Sequence, residues 1–492
     1  MKVLNFTFAI AITGLICSGS AIAQQTPTSV DQAAFNYDSY YATDATTVAQ
    51  PEGDLGPSGP PVDVRNNPPV YDADGDYVHE APNVGLNWGF GCDCGYELDC
   101  GDMCSLQKCE NCYGIEYGGW FSGGVTVNEY DNTTMVGNSQ LGFNNDPHVN
   151  LNQAWFWIEK ATDTGGYGWD WGYHADIMAG VDGPDTQAFG GPGWDSDWGF
   201  GANSQYGAAI PQAYLTLAYD DLTMIFGHFY TIQGYEVVPA PYNFFYSHAY
   251  TMTYGEPFTH TGFLAEYAYS DNVTLYGGWT NGWDQGFQFT HSGSSTFLGG
   301  INYTSDDERT SLTYTVCAGD WGNGAMFHNG AGQTGDGDIY NHSIVWQQMV
   351  ADNWTYVFQT DLGINNGGAI NAAAGLTESQ WYGVNNYLYY NFNCCWAAGL
   401  RAEWFSDPQG QRVDRAGLNA TGPGTVAAKR ANYFALTAGA NWNPTTNLRV
   451  RPEIRYDWDN GMGAATSRYD PIAGAYTQPD MWTFGVDAIY FF

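Results

Sequence analysis

The residues of this sequence best equipped for chemistry are a knot of cysteines, a small group of arginines and one aromatic, histidine-bearing segment. Cys92, Cys94, Cys100, Cys104, Cys109 and Cys112 crowd together. Thiols at this density in an oxidising compartment close into a disulfide framework whose pairing the sequence leaves open. The Cys109-x-x-Cys112 spacing offers a metal knuckle as the alternative, although the other gaps are irregular. Arg401, Arg449, Arg451 and Arg455 stand out because bases are scarce: 14 Lys and Arg face 52 Asp and Glu, for a formal charge of -38. Between Tyr230 and Phe258 lie Tyr235, Glu236, Asn243, Phe244, Tyr246, His248 and Glu256, side chains able to stack on, bind or obstruct a solute.

Catalytic arrangements are missing from the sequence. It holds no G-x-S-x-G, no H-E-x-x-H and no phosphate-binding loop, and its histidines are scattered. A barrel phospholipase would need a Ser beside His228 or His260, and none is evident. Asp72, Asp74 and Asp76 alternate as in a calcium loop, but Tyr77 and Asn83 stand where that loop needs Gly and Glu. The expectation is a protein that is not an enzyme and uses no cofactor or metal.

The elements that must position these residues begin with an export signal. Lys2 precedes an apolar run from Val3 to Cys17, and Ala21-Ile22-Ala23 before Gln24 reads as a cleavage site, so residues 1–23 are expected to be removed. Ile16 before Cys17 is too large for the usual lipid-attachment site. Residues 24–90, with Gly56-Pro57-Ser58-Gly59-Pro60-Pro61 among them, read as a disordered periplasmic leader, and 91–112 as the Cys-rich segment. From 113 to 492 the composition is that of a sheet between two solvents. Over the whole sequence charged residues make up 13% and aromatics 16%, where soluble domains carry about 25% charged residues. No apolar run is long enough to span a bilayer as a helix, so spanning requires a closed barrel. The acidic balance disfavours nucleic acid as a partner.

Apolar residues recur at every second position through this region, the mark of strands with two different faces. Ala213, Leu215, Leu217 and Tyr219 share one face, against Gln212, Tyr214 and Thr216. Leu222, Met224 and Phe226 continue the pattern, as do Phe263, Ala265, Tyr267 and Tyr269, and later Trp354, Tyr356 and Phe358. Short turns are expected near 162–165, 220–221, 270–271, 305–308, 351–353, 392–393 and 443–447. Long connections fall near 128–149, 182–208, 230–258, 282–293, 318–339, 363–379, 407–429 and 458–480. This alternation predicts an all-β, transmembrane, antiparallel up-and-down barrel of about 16 strands, with short periplasmic turns and long external loops. The final strand alternates through Trp482, Phe484, Val486, Ala488, Tyr490 and Phe492, with Gly485 and Asp487 on the other face. That ending, marked by Phe484, Gly485, Tyr490 and Phe492, resembles the insertion signal read by the barrel-assembly machinery of the outer membrane.

On the fifteenth strand Arg449, Arg451 and Arg455 share parity with Glu453. An Arg at the bilayer midplane costs about 2–4 kcal/mol, so this face must be the lumen. Arg401, with Glu403, joins it two strands earlier, giving either a cationic wall opposite acidic loop residues or simply solvated lumen charge. The segments Gly227-His228-Phe229-Tyr230, Gly234-Tyr235-Glu236, Asn243-Phe244-Phe245-Tyr246-Ser247 and Thr259-His260-Thr261-Gly262 resemble the beta-barrel porin-2, OmpL-like family over about Gly118 to Phe492. The resemblance implies a pore in the cell outer membrane for passive diffusion of small hydrophilic solutes or ions, with a homotrimer as one assembly open to it. It also implies that Tyr230–Phe258, the third long loop, folds inward to narrow the bore, the plainer alternative being an external aromatic cap. The rival function is a plugged structural or adhesive barrel whose long loops, such as that bearing Trp194 and Trp198, bind partners outside.

Overall fold

The computed structural model describes residues 115–129, 148–164, 168–188, 194–196, 198–200, 205–287, 294–320, 338–371, 376–393, 395–410, 412–413, 430–462, 468–470, 475–478 and 480–492. The export signal, the leader with its Asp72-Asp74-Asp76 spacing and the cluster Cys92 to Cys112 lie outside the described residues. Cys395 is disulfide-bonded and occupies a turn. Cys317 is a buried free thiol.

The backbone forms β1 (Glu116–Asn128), β2 (Asn150–Lys160), β3 (Trp169–Gly180), β4 (Ala213–Tyr219), β5 (Leu222–Tyr230), β6 (Thr259–Ser270), β7 (Val273–Thr280) and β8 (Ser295–Thr304). It continues through β9 (Thr310–Asp320), β10 (Asp338–Ala351), β11 (Trp354–Asn371), β12 (Leu376–Asn393), β13 (Trp396–Asp407), β14 (Arg430–Thr445), β15 (Leu448–Met462) and β16 (Asp480–Phe491). Each strand pairs with the next, and β1 pairs antiparallel with β16, so the sheet closes on itself. Closure removes the unpaired edge that a bilayer would not tolerate, since lipid offers backbone groups no hydrogen bonds. The seam runs from Trp120 opposite Phe491 to Asn128 opposite Thr483, and reciprocal bonds between Gly119 and Phe492 (3.1 and 3.0 Å) secure its periplasmic end. A three-residue strand, Gly207–Ala209, adds to the end of β3 ahead of β4.

Turns are present near the expected positions at Asp220–Asp221, Asp271–Asn272, Asp352–Asn353 and Thr446–Asn447, each joining a hairpin at the same end of the barrel, whereas Phe392 and Asn393, expected as a turn, end β12 and the turn follows at Cys395. One connection differs from expectation. In place of a long loop over 363–379, β11 runs to Asn371 and β12 begins at Leu376. The apolar period ends there because the strands have left the lipid, but the backbone ladder needs no such period to continue. The last connection also carries a small hairpin, Arg468–Asp470 with Ala475–Gln478.

Side chains sort as the two-residue period requires. Leu215 and Leu217 are exposed on the outer face, whereas Tyr214 and Thr216 between them are buried inside. On β16, Trp482, Phe484 and Tyr490 face out and Thr483 and Asp487 face in. Aromatic pairs gird both rims: Trp354 with Tyr390 (4.6 Å) and Trp396 with Trp442 (5.6 Å) near the short turns, Phe434 with Trp458 (5.3 Å) and Tyr456 with Trp482 (4.5 Å) toward the long loops. Such girdles sit at the level of lipid head groups. No helix among the described residues is long and apolar enough to cross a membrane. The neighbours Leu400 and Arg401 test the two faces directly, because Leu400 is 57% exposed outside and Arg401 is 1% exposed inside. Leu400→Arg is expected to destabilise the barrel by about 2–4 kcal/mol in urea unfolding from liposomes, and Leu400→Met by much less. Equal stability of the two variants would show that this face does not meet lipid.

Candidate functional site

The interior is organised by the chain between β5 and β6. Its neck is closed by a backbone bond from Thr231 N to the Phe258 carbonyl (3.0 Å), and Asp284 Oδ1 accepts from the amides of Phe258 (2.6 Å) and Thr259 (2.9 Å). Every residue from Thr231 to Phe258 is buried except the half-buried Tyr242. The aromatic segment is therefore inside the barrel and not an external cap. Gly234 permits the first bend: its φ of +90° is left-handed, and a Cβ there would run into the Glu256 carboxylate. The Asn243 amide braces the outgoing arm, accepting from Val237 N (2.9 Å) and donating to the carbonyls of Val237 (2.6 Å) and Pro239 (3.1 Å). A short 3-10 turn, Ala240–Tyr242, and a π-helical turn, Thr251–Gly255, shape the remainder.

The outgoing arm crosses the bore from β5 to the opposite wall. Arg451 donates from Nη1 to the carbonyls of Ala240 (2.9 Å), Asn243 (2.7 Å) and Phe245 (2.9 Å), while its Nε and Nη2 grip Asp487 at 2.9 and 2.6 Å. Arg449 donates to the Pro241 carbonyl (2.8 Å). Arg401 donates to Glu236 (2.7 Å), to the Ser247 carbonyl (2.8 Å) and to Glu403 (2.7 Å). Arg455 reaches the His248 carbonyl (3.2 Å), Glu403 (2.8 Å) and Asp457 (2.9 Å). Wall carboxylates take up the loop's amides in turn: Glu453 accepts from Tyr246 N (2.8 Å) and Ser247 N (3.0 Å), and Glu403 from Tyr250 N (2.8 Å). On β2, Gln153 donates to the Val238 carbonyl (2.8 Å) and accepts from Ala240 N (3.0 Å).

Three of the four guanidinium groups thus pair with four carboxylates, those of Glu236, Glu403, Asp457 and Asp487, while Arg449 is held by the Pro241 carbonyl and Glu453 by the loop's amides. Because they are spent on this loop and on one another, the arginines add little net positive potential to the bore. Burial, then the charges of Arg401 and Arg451, lowers the His248 pKa to about 3. The imidazole is neutral at physiological pH, and its Nε2 donates to the Val237 carbonyl (3.1 Å).

Apolar contacts complete the seat. Tyr235 packs on Tyr387 (4.8 Å) and Phe244 on Tyr389 (4.7 Å), within a cluster that includes the inward Leu264, Leu298, Val345 and Val357. The lumen is therefore not uniformly wet. Inward glycines form sockets: a Cβ on Gly399 would lie 2.5 Å from the Phe244 ring, and one on Gly383 2.5 Å from Thr251 Oγ1. The return arm lies along β10 to β12. Asn341 Nδ2 (2.7 Å) and Trp381 Nε1 (2.9 Å) both donate to the Gly255 carbonyl. Arg412, from the connection after β13, stacks between Trp283 (5.1 Å) and Trp381 (4.6 Å) and donates to the Tyr254 carbonyl.

Each arginine singled out in the sequence thus lies on the inner wall, and Tyr235, Glu236, Asn243, Phe244, Tyr246, His248 and Glu256 all lie in the loop opposite it. Phe484 and Tyr490 face outward on β16, Gly485 faces in, and Phe492 packs against Phe121 (5.2 Å). Sequence reasoning missed Gln153, Asp361, Arg412 and the bridge in which His174 joins Glu159 (2.9 Å) and Asp176 (2.7 Å). Parity turns the three members of that bridge inward, but only strand register shows that they meet. Among the described residues no group of three or more His, Cys, Asp or Glu is arranged to hold a metal ion.

A family model described as beta-barrel porin-2, OmpL-like matches residues 114–492. Among solved structures the chain is similar to OprB of Pseudomonas putida, at 13% identity over 77% of this chain and 94% of that one, with a TM-score of 0.48. It is similar to the anion-selective porin from Comamonas acidovorans at 8% identity, covering 77% and 99% of the two chains, with a TM-score of 0.48. The outer membrane channel DcaP of Acinetobacter baumannii matches at 12% identity over 79% and 100%, with a TM-score of 0.46. No curated protein sequence matches the chain.

Two substitutions probe how the loop is seated. Arg451→Met leaves Asp487 buried without its guanidinium and is expected to cost about 3–5 kcal/mol in urea unfolding, most of which Arg451→Met/Asp487→Leu recovers. An uncorrected double variant would mean that the loop carbonyls, not the ion pair, dominate. Gly399→Val is expected to expel Phe244 from its socket, read as faster protease cleavage between residues 236 and 250 in the otherwise folded barrel. Unchanged cleavage would show that the ring does not depend on that socket.

Proposed function

The chain belongs to the beta-barrel porin-2, OmpL-like family of the outer membrane, and from that premise we propose a passive channel for small hydrophilic solutes or ions, narrowed by its third long loop. The observation that carries this reading is the traverse of that loop from β5 to the wall at β13 to β16, fixed by Arg401, Arg449, Arg451 and Arg455. A loop clamped across the bore at mid-height leaves solutes only what its flanks allow. The walls away from the clamp carry polar groups: Thr216, Thr296, Thr313 and Thr315 point inward. The buried oxygens Asp182 Oδ1, Gln347 Oε1, Asn441 Oδ1 and Thr483 Oγ1 have no partner among the described residues, and such groups in folded proteins are met by water.

Selectivity follows from the charge count. With most of the arginine charge paired, the inward acids Glu159 and Asp176, which outnumber the His174 between them, bias the passage toward cations. The alternating β16 ending in Phe492 serves, in this reading, as the signal for the assembly machinery, and the outward apolar belt leaves a homotrimer open as the assembled form. A second reading has one observation in its favour. The packing of Tyr235, Phe244 and Phe245 against Leu264, Leu298, Val345 and Val357 would suit a plugged surface barrel whose long loops bind partners outside.

Planar bilayers separate the two readings. Purified protein is expected to give stepwise conductance with a reversal potential on the cation side. Arg449→Gln/Arg451→Gln/Arg455→Gln is expected to conduct more and to prefer cations more strongly, because the outgoing arm loses its anchors and Glu403, Asp457 and Asp487 lose guanidinium partners. A silent membrane would favour the plugged barrel, and a triple variant identical to the parent would remove this loop from the conducting path.

A further inference from the structure

The return arm of the loop brings two carboxyl groups together with no base beside them. Glu256 and Asp361 are both buried, and the Gln359 amide Nε2 donates to Glu256 Oε1 and to Asp361 Oδ1 (2.9 Å). Ser343 Oγ donates to the same Asp361 oxygen (2.8 Å). Among the described residues no Lys, Arg or His forms an ion pair with either carboxyl, whereas Glu236, Glu403, Asp457 and Asp487 each meet an arginine. Left so, burial and then the neighbouring Asp361 push the Glu256 carboxyl well above its usual range. Something positive must therefore be shared by the pair.

The surrounding atoms indicate what that is. Gln233 Oε1, Asn341 Oδ1 and Asp361 Oδ2 are buried oxygens with no hydrogen-bond partner, and all three side chains are at least nine-tenths buried. The orientation of the two amides is set by their nitrogens, since Gln233 Nε2 donates to the Asn341 carbonyl (3.2 Å) and Asn341 Nδ2 to the Gly255 carbonyl (2.7 Å). Flipping either would set oxygen against oxygen. Asn341 is thereby tied to the residue before Glu256, Gln233 adjoins the glycine that meets the Glu256 carboxylate, and Ser343 pairs with Asp361 across β10 and β11. The adjoining rows, Asn341 opposite Gly363 and Ser343 opposite Asp361, with Gln233 held on Asn341 and Glu256 on Gln359, thus gather residues that offer oxygens from two carboxylates, two amides and one hydroxyl. A shared proton would satisfy one pair of carboxylate oxygens and leave the amide oxygens unmet; a hard cation, which takes six to eight oxygen ligands, would satisfy them all.

We propose that Glu256 and Asp361, completed by Gln233, Asn341 and Ser343, bind a divalent hard cation such as calcium between the third loop and the β10–β11 wall. Two carboxylates balance its charge, and neutral oxygens fill its remaining positions. The site would add an imported cation to the hold that Arg412 has on the return arm.

The test uses full-length protein in detergent, stripped with EDTA, with thermal unfolding followed by tryptophan fluorescence during titration with CaCl2 or with NaCl at matched ionic strength. Calcium is expected to raise the midpoint saturably, beyond the effect of NaCl. Asp361→Asn and Glu256→Gln are each expected to weaken the apparent calcium affinity by about tenfold or more, while Asp307→Asn, in an exposed turn, leaves it unchanged. A flat calcium response in the parent protein would mean that the carboxyls share a proton and would overturn the proposal. An undiminished response in both carboxyl variants would place the bound calcium elsewhere and overturn it equally. Should those variants fail to fold, Gln233→Leu removes one neutral oxygen, and unaltered affinity there would also count against the site. None of these readouts involves conductance, so they stand or fall separately from the channel.

Discussion

A loop that crosses the bore of a barrel must satisfy its own backbone without a neighbouring strand, and here charged side chains of the wall do it. The carbonyls of Ala240, Pro241, Asn243, Phe245, Ser247 and His248 accept from arginines, and the amides of Tyr246, Ser247 and Tyr250 donate to Glu453 and Glu403. Charge-assisted bonds of this kind are roughly twice as strong as neutral ones. The wall therefore reads the loop's backbone in register, acidic where the loop shows N–H and basic where it shows C=O.

This use of charge changes what the arginines mean. In an open lumen, guanidinium groups would face the solute and set a field across it. Arg401 and Arg455 are instead flanked by Glu403 and Asp457, and Arg451 by Asp487, with their remaining donors turned to the loop. Their desolvation is offset by that full set of partners, and removal of any one partner leaves a buried charge behind. Stability and permeability are consequently coupled at these positions.

The barrel itself was legible because lipid enforces a strict period. Leu215, Leu217, Phe484 and Tyr490 could face only outward, and the expense of Arg in lipid leaves Arg449, Arg451 and Arg455 no face but the inner one. Hairpin turns were legible for a related reason: at Asp220–Asp221 or Asp352–Asn353 the period resets over two polar residues. The extension of β11 and β12 past 363 was not, since Gly367 and Gly368 carry no pattern once the strands leave the bilayer. Nor could parity pair Arg451 with Asp487, which needs the β15–β16 register, or bring Arg412 between Trp283 and Trp381 from an aperiodic connection. Inward glycines such as Gly383 and Gly399 read as ordinary small lumen residues; their role as sockets exists only once Thr251 and Phe244 are in place.

The two arms of the loop are held by different chemistry, and that difference sets where it can yield. The outgoing arm has guanidinium groups on its carbonyls, carboxylates on its amides and aromatic rings seated against glycine. The return arm has donors from Asn341 and Trp381 on one carbonyl, a single guanidinium, that of Arg412, on another, the Asp284 carboxylate on the Phe258 amide, a contact from Thr251 to Asn385 (3.2 Å) and a carboxyl pair with no base beside it among the described residues. Loosening a neutral contact exposes only dipoles, whereas loosening an arginine strands a charge, so the outgoing arm with its four arginines is held more firmly than the segment from Thr251 to Phe258 with Arg412 alone. In the proposed channel the firmer bank is therefore the wall at β13 to β16, and the bank at β10 to β12 is the one whose hold the proposed cation would strengthen.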